Sequence, residues 1–168
     1  PANTLSLHDA LPICHEFKGF DAPVPMLLTI MNYQYQLTLA ELDEKSIEGR
    51  LVNDGILICE NNLDKIYTCR TFYELLYPLG DCSDVEFDYK IIASEIINAD
   101  IVGFLNGCHD NESNTPFGYR IEFKTMDSNR DRSDFVKNLS RELDEISSGN
   151  LRNSPSSYEV EIRILEKD

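Results

Sequence analysis

The chain of 168 residues has the length of one domain of ordinary size or of two small ones. Apolar residues make up 42% of it and aromatic residues 10%, which is enough for a hydrophobic core and excludes global disorder. Thirty acidic residues against fifteen basic ones give a net charge of −15, which disfavours a protein that binds nucleic acid through bulk charge. No apolar run approaches ~18 residues, so we expect no membrane span.

The cysteines indicate a reducing environment. They are odd in number, irregularly spaced and without a C-x-x-C pair, which argues against a disulfide scaffold and against a zinc finger. We therefore expect a cytoplasmic protein. The five cysteines stand at positions 14, 59, 69, 82 and 108.

The first thirteen residues are unlike the rest of the chain. Residues 4–13 (TLSLHDALPI) resemble the translated reading frame of a common sequencing-adapter oligonucleotide. The alternative is a short amphipathic leader, but not a secretory signal, because no basic region precedes it and Asp9 interrupts the apolar residues. We expect residues 1–13 to be an artefactual leader and the native N-terminus to be missing, so the fold prediction starts at residue 14.

The first half alternates between strand and helix signals. We expect a strand or a buried helical turn over residues 24–31 and a helix around residues 37–42. The apolar runs 47–52 and 56–59 flank Asn53-Asp54-Gly55, which predicts a hairpin because Gly and Asx residues tolerate the positive φ of such a turn.

A further helix is expected from Asn61 or Asn62 to Tyr77. Its apolar residues recur at steps of three and four, and Pro78 and Gly80 would end it. The acidic residues 81–88 then read as a loop and a boundary between two units.

The second half begins with one helix or two short ones over residues 89–105, followed by a polar loop over residues 106–116. Strict alternation predicts a half-buried strand over Phe117–Lys124. A charged turn, a helix over residues 135–146 ended by Gly149 and a final strand around residues 160–164 complete the order. The fold class is therefore α/β, of the α+β type, in two units over residues 14–85 and 86–168 that pack on each other.

No motif in the chain points to catalysis. Signatures of dinucleotide, phosphate-loop, hydrolase and zinc-protease sites are absent, as is the Asn/Asp-Pro-Pro-aromatic signature of base-modifying methyltransferases. Cys108-His109-Asp110 brings three reactive side-chain types together, but consecutive side chains diverge, which favours a polar surface loop. We therefore predict no catalytic residue and no metal ligand.

The basic residues concentrate between residues 117 and 153. That stretch holds seven of them together with seven acids, so it is neutral and the rest of the chain carries the excess negative charge. Cations beside a helix N-terminus can hold phosphates, although the charge pattern alone favours a solvated face with ion pairs between residues four apart. The seven are Arg120, Lys124, Arg130, Arg132, Lys137, Arg141 and Arg152.

The order of motifs resembles a known family. Phe117–Lys124, a basic turn, a helix and then Asn153-Ser154-Pro155 before a Val-x-Ile-x-Ile strand are similar to a THUMP domain, the RNA-recognition module of tRNA and rRNA modification enzymes. The family ending begins with Asn-Pro, which Ser154 splits here. The first half, with a hairpin leading into Arg70-Thr71, resembles the ferredoxin-like domain that precedes THUMP in class I RNA methyltransferases.

The resemblance implies a ferredoxin-like N-terminal unit packed on a THUMP-like RNA-binding unit. The chain would be the RNA-binding portion of an RNA methyltransferase, and its partners would be structured RNA (tRNA or rRNA) and its own C-terminal methyltransferase domain. S-adenosylmethionine would bind in that domain after residue 168, so this fragment would hold no cofactor and transfer no methyl group. The seven basic residues would contact RNA, Arg70 would pair with acids of its own unit, and the final strand would present an unpaired edge.

Two other functions stay open. The net charge and the lack of a catalytic motif also fit an acidic, non-catalytic protein of the immunity or inhibitor type that binds a basic protein partner. A small enzyme that uses Cys108 and His109 is the least favoured alternative.

Overall fold

A single sheet of eight strands runs through the molecule. The computed structural model describes residues 2–6, 23–53, 55–61, 63–81, 87–108, 116–125 and 131–165. The strands are β1 (Ala2–Ser6), β2 (Val24–Thr29), β3 (Gly49–Asn53), β4 (Ile56–Asn61), β5 (Glu74–Asp81), β6 (Phe117–Lys124), β7 (Leu151–Asn153) and β8 (Val160–Leu165). The described helices are α1 (Tyr35–Glu44), α2 (Leu63–Tyr67), α3 (Tyr89–Asn98), α4 (Ile101–Cys108) and α5 (Arg132–Ile146), with a short 3-10 helix at Asn32–Gln34.

The first half has a ferredoxin-like arrangement. Its elements follow the order β2-α1-β3-β4-α2-β5, and its strands lie side by side as β3-β4-β2-β5 with antiparallel pairing throughout. The second half has the order α3-α4-β6-α5-β7-β8, and β6 pairs in parallel with both β7 and β8. Antiparallel and parallel pairing in one sheet with helices confirms the predicted α+β class.

Strand β1 joins the two halves. It pairs antiparallel with β5 on one side and with β8 on the other, so the strand order is β3-β4-β2-β5-β1-β8-β6-β7. These residues belong to the segment 1–13, whose interpretation as an artefactual leader stays a prediction. The expected unpaired edge of the final strand is wrong, because β8 lies between β1 and β6.

Most predicted elements of the first half are confirmed. Residues 24–29 form a strand, α1 covers the predicted helix, and β3 and β4 form the hairpin. Gly55 adopts a φ of 82° in its turn, which is the positive value that the sequence pattern required.

The helix predicted to reach Tyr77 is wrong. It ends at Tyr67, and residues 74–81 form β5 instead. Leu75 and Leu76 are both buried although they point to opposite faces of the sheet, so this strand lacks the alternation that identifies strands in a sequence. Pro78 is accommodated opposite Thr4, where the register with β1 shifts.

The predictions for the second half hold with small shifts. Residues 89–108 form two helices, broken at Asp100, whose φ is 54°. The predicted loop over 106–116 starts later than expected, because α4 continues through Cys108, and residues 109–115 lie outside the described part. No single described helix has both the length and the hydropathy of a membrane span; α3 and α4 reach them only together, across a bend of 46°.

The core lies on one side of the sheet. Side chains from the described helices pack with one alternating set of strand side chains in a single cluster, which includes Met26, Tyr119, Ile162 and Leu139. We call this the helix face of the sheet. The other alternating set, on the far face, includes Arg120 and Glu161, which pair with each other in register between β6 and β8. Each buried strand residue is thereby assigned to one face or the other.

Candidate nucleic-acid interface

The predicted basic residues are divided between two layers of the molecule. Arg120 and Lys124 share the far face of β6, as their spacing predicted, and Arg152 on β7 lies on the same face because it pairs with Gly118. The other described members belong to α5, which packs on the helix face, so no single surface carries them all. The residues on α5 are Arg132, Lys137 and Arg141, and Arg130 lies outside the described residues.

Arg120 is engaged within the protein. Its guanidinium forms an ion pair with the Glu161 carboxylate and lies over the ring of Tyr158, 4.1 Å from the ring centroid. Its side chain is 39% exposed. Because both the charge and one planar face of the guanidinium already have partners, Arg120 positions the Tyr158 segment more readily than it binds a phosphate.

Arg163 is the centre of an ion-pair network on the far face that sequence reasoning missed. Its Nε lies 2.7 Å from Glu161 Oε1 and 3.0 Å from Glu122 Oε2, and its Nη1 lies 2.8 Å from Glu74 Oε2. Lys124 adds a contact of 3.1 Å between its Nζ and Glu122 Oε1. The alternation in β8 showed that Glu161 and Arg163 share a face, but only the register with β6 and β5 brings their partners together.

The Glu161 carboxylate is stabilised in its charged form despite its burial. Its side chain is 2% exposed, and burial alone would raise its pKa. Hydrogen bonds from Arg163 and Arg120 outweigh burial and hold the pKa of Glu161 below its ordinary value. A pair of guanidinium groups thus compensates one buried negative charge.

The N-terminus of α5 is occupied by the protein's own carboxylates. Asp131 caps the helix by accepting a hydrogen bond of 3.0 Å from the amide of Asp134, which places a second acid in the first turn. Two negative charges at this end repel an anion, so the phosphate site considered for a helix N-terminus is disfavoured here.

Four of the seven predicted basic residues are described and have no carboxylate partner among the described residues. Arg132 donates to the carbonyl oxygen of Thr125 at 3.3 Å, and Arg141 donates to Asn138 Oδ1 at 3.1 Å. Lys137 and Arg152 are exposed and form no ion pair within the described ranges. We call these four, Arg132, Lys137, Arg141 and Arg152, the unneutralised cations; Lys90 on α3, which is not one of the seven predicted residues, likewise forms no ion pair within the described ranges.

The segment that links β7 to β8 crosses β6 at Gly118. The amides of Ser154 and Glu159 donate to the carbonyl oxygens of Tyr119 and Gly118, at 2.8 and 2.9 Å. A Cβ atom on Gly118 would lie 2.9 Å from the carbonyl oxygen of Ser157, so only glycine fits beneath the crossing segment. Residues 154–159, which we call the crossover loop, are therefore held against the far face by backbone contacts.

In the first half, a carboxylate of α1 binds the backbone at Arg70-Thr71. The Glu41 carboxylate accepts hydrogen bonds from the amide of Arg70 at 2.9 Å and from the hydroxyl of Thr71 at 2.6 Å. Burial would raise the pKa of Glu41, but these hydrogen bonds lower it below its ordinary value. The expected pairing of the Arg70 guanidinium with an acid is not found within the described part of the chain, where Arg70 contacts Glu41 through its backbone amide.

The described cysteines are unsuited to nucleophilic chemistry. Cys59, Cys69 and Cys108 are buried and unbridged. Burial raises the pKa of both Cys59 and Cys108 to about 12, so their thiols stay protonated near neutral pH. His109 lies outside the described residues, and the described ranges contain no cluster of three or more potential metal ligands.

A groove of about 350 Å³ lies at the β3 side of the sheet. It has acidic, basic and apolar walls and no convergent set of catalytic groups. Its lining residues are Pro23, Pro25, Glu48, Arg50, Ile58, Cys59 and Glu60.

Comparison with known proteins adds a distant structural likeness. No family model and no curated protein matches the chain. Among solved structures it is similar to the crystal structure of PH1313 from Pyrococcus horikoshii Ot3, with 11% identity and a TM-score of 0.48. The likeness covers 87% of this chain and 51% of that one, so the chain spans about half the length of PH1313. A likeness this distant carries no functional inference.

Proposed function

We propose that this chain is the RNA-binding portion of an RNA methyltransferase, a ferredoxin-like unit followed by a THUMP-like unit. It would hold tRNA or rRNA in the cytoplasm for an S-adenosylmethionine-dependent domain that is not part of this chain. The observation that carries the proposal is the topology. A βαββαβ half with strand order β3-β4-β2-β5 is followed by two helices, a strand, a helix, a short strand and a final strand, in the order of the family's motifs.

The charges refine which residues would touch RNA. Arg120 and Lys124 have carboxylate partners, and a phosphate would have to displace Glu161 or Glu122 to reach them. Lys137 and Arg141 carry no such cost, stand one turn apart on α5 and lie away from the two acids at its N-terminus, so they are the better candidates for phosphate contacts.

A binding measurement with a matched control tests this proposal. We expect the purified chain to bind tRNA at ~50 mM salt and Lys137→Ala plus Arg141→Ala to weaken that binding, because each phosphate contact contributes to affinity. Arg50→Ala plus Arg70→Ala, which removes two exposed cations from the first half and keeps the backbone contact of residue 70, is expected to leave binding nearly unchanged. Equal losses in both variants, or no binding by the unaltered chain, would contradict the proposal.

The alternative is an acidic protein that binds a basic protein partner. It is favoured by the net charge of −15. Absence of tRNA binding together with salt-sensitive capture of a basic protein would support this second function.

A further inference from the structure

Arg163 is shared by carboxylates from three different strands. Glu161 comes from β8 itself, Glu122 from the neighbouring β6, and Glu74 from β5 on the far side of β1. The Arg163 side chain is 15% exposed, and Glu74 is 27% exposed. The contact with Glu74 is therefore partly shielded from solvent, where an ion pair is screened less than at the surface.

The contact with Glu74 differs from the other two in what it connects. Glu161 and Glu122 belong to the same half as Arg163, whereas Glu74 opens the last strand of the ferredoxin-like half. Thr29 on β2 also donates to Glu74, at 3.4 Å, which ties this carboxylate to the neighbouring strand of its own half. The Arg163–Glu74 pair thus spans the junction between the two halves.

We propose that the ion pair between Arg163 and Glu74 couples the two halves, so that they unfold and refold as one cooperative unit. We call this ion pair the latch. Glu161 and Glu122 both lie against the Nε of Arg163 and thereby orient the guanidinium, whose Nη1 is directed at Glu74 in the other half. This inference does not depend on RNA binding, because it concerns only how the two halves are coupled.

The competing explanation is that β1 alone couples the halves through its backbone pairing with β5 and β8. In that case the side-chain pair would be dispensable. The two explanations differ in what happens when the carboxylate of Glu74 is neutralised and β1 is left intact.

Hydrogen exchange of the full chain distinguishes them. Glu74→Gln removes the carboxylate that bridges the junction, and Glu122→Gln is the matched control because it removes another carboxylate from the same guanidinium within one half. Protection is read in β4 for the first half and in α5 for the second, since neither element carries a substituted residue. Elements of one cooperative unit share the same protection.

We expect β4 and α5 to share one level of protection in the unaltered chain and in Glu122→Gln. In Glu74→Gln the two levels should separate by about tenfold. If Glu74→Gln fails to fold, Glu74→Asp keeps the charge but withdraws it from Arg163, and the same separation is expected. Equal protection in the Glu74 variants, different protection in the unaltered chain, or an equal separation in Glu122→Gln would overturn the latch.

Discussion

The hydroxyl oxygen of Tyr119 lies 2.9 Å from Oδ1 of Asp144, in the interior between β6 and α5. The same hydroxyl lies 2.9 Å from the carbonyl oxygen of Ser140, and Asp144 accepts a hydrogen bond of 3.0 Å from the amide of Asn153. One carboxylate therefore joins β6, α5 and β7, the three elements that lead into the crossover loop.

Tyr119→Phe tests this junction. We expect a loss of about 1 kcal/mol in the free energy of unfolding at neutral pH, the usual contribution of one hydrogen bond. Burial and the neighbouring Asp144 raise the pKa of Tyr119 above its ordinary value. A raised folded-state pKa means that its stabilising contribution is present below about pH 10 and is lost as pH rises further.

Denaturant unfolding from pH 8 to pH 11 measures both effects. The alkaline loss of stability should be shallower in Tyr119→Phe than in the unaltered chain, and Tyr33→Phe, at a side chain that is 78% exposed, is the control. An unaltered alkaline slope in Tyr119→Phe would show that the phenol does not titrate with unfolding.

The buried Glu161 predicts a loss of stability in acid. Hydrogen bonds from Arg163 and Arg120 outweigh burial and lower the pKa of this carboxyl. Its contribution is therefore present above the unfolded-state pKa of about 4.3 and is lost as pH falls through the lower folded-state value. Glu161→Gln should give a flatter acid unfolding profile, whereas Glu60→Gln, at an exposed position, should reproduce the unaltered profile.

At neutral pH the same site predicts a large effect of removing a cation. Arg163→Met should lower the free energy of unfolding by about 3 kcal/mol, because Glu161 stays buried with only Arg120 as a partner. A change below about 1 kcal/mol, the range of surface pairs, would place Glu161 in solvent rather than in the interior.

Gly118→Ala tests the crossover loop. Its new Cβ would meet the backbone of Ser157 at 2.9 Å, so the loop must move away and loses contacts with β6. We expect a destabilisation of about 1–3 kcal/mol, as for other overpacked sites. Ser156→Ala, at an exposed position of the same loop, should be nearly neutral in thermal unfolding, and equal melting temperatures in both variants would contradict the close approach.

Deletion of residues 1–13 tests whether β1 belongs to the sheet. Its removal takes away the strand between β5 and β8 and leaves two unpaired edges, which promote association between chains. We expect a lower melting temperature and concentration-dependent oligomers by light scattering. A shortened chain that is monomeric and equally stable would show that the sheet does not need this segment and would favour the artefactual origin.

The elements that the sequence predicts best are those buried on one face only. The alternation of Phe117–Lys124 and the apolar stripe of α5 gave a strand and a helix that the structure confirms. Strand β5 was missed because Leu75 and Leu76 are buried on opposite faces, which removes the alternation of buried and exposed residues. Pro78 indicates the end of a helix or strand in the sequence, because the register shift that accommodates it opposite Thr4 cannot be predicted from a local pattern.

The candidate site was only partly predictable for a different reason. The common face of Arg120 and Lys124 follows from spacing along one strand, which is local information. The pairing of Arg120 with Glu161 and of Arg163 with Glu74 depends on the register between strands that are distant in the chain. The placement of Lys137 in the helix layer depends on which face of the sheet α5 covers. Neither is contained in a local pattern.

The salt dependence of tRNA binding tests the central claim most directly. With Lys137 and Arg141 on phosphates, the logarithm of the binding constant should fall against the logarithm of salt concentration with a slope of about −2. Lys137→Ala plus Arg141→Ala should reduce the steepness by about 2, since two contacts are lost. Binding that is absent at ~50 mM salt, or a slope that the double variant leaves unchanged, would contradict an RNA-binding role for these residues.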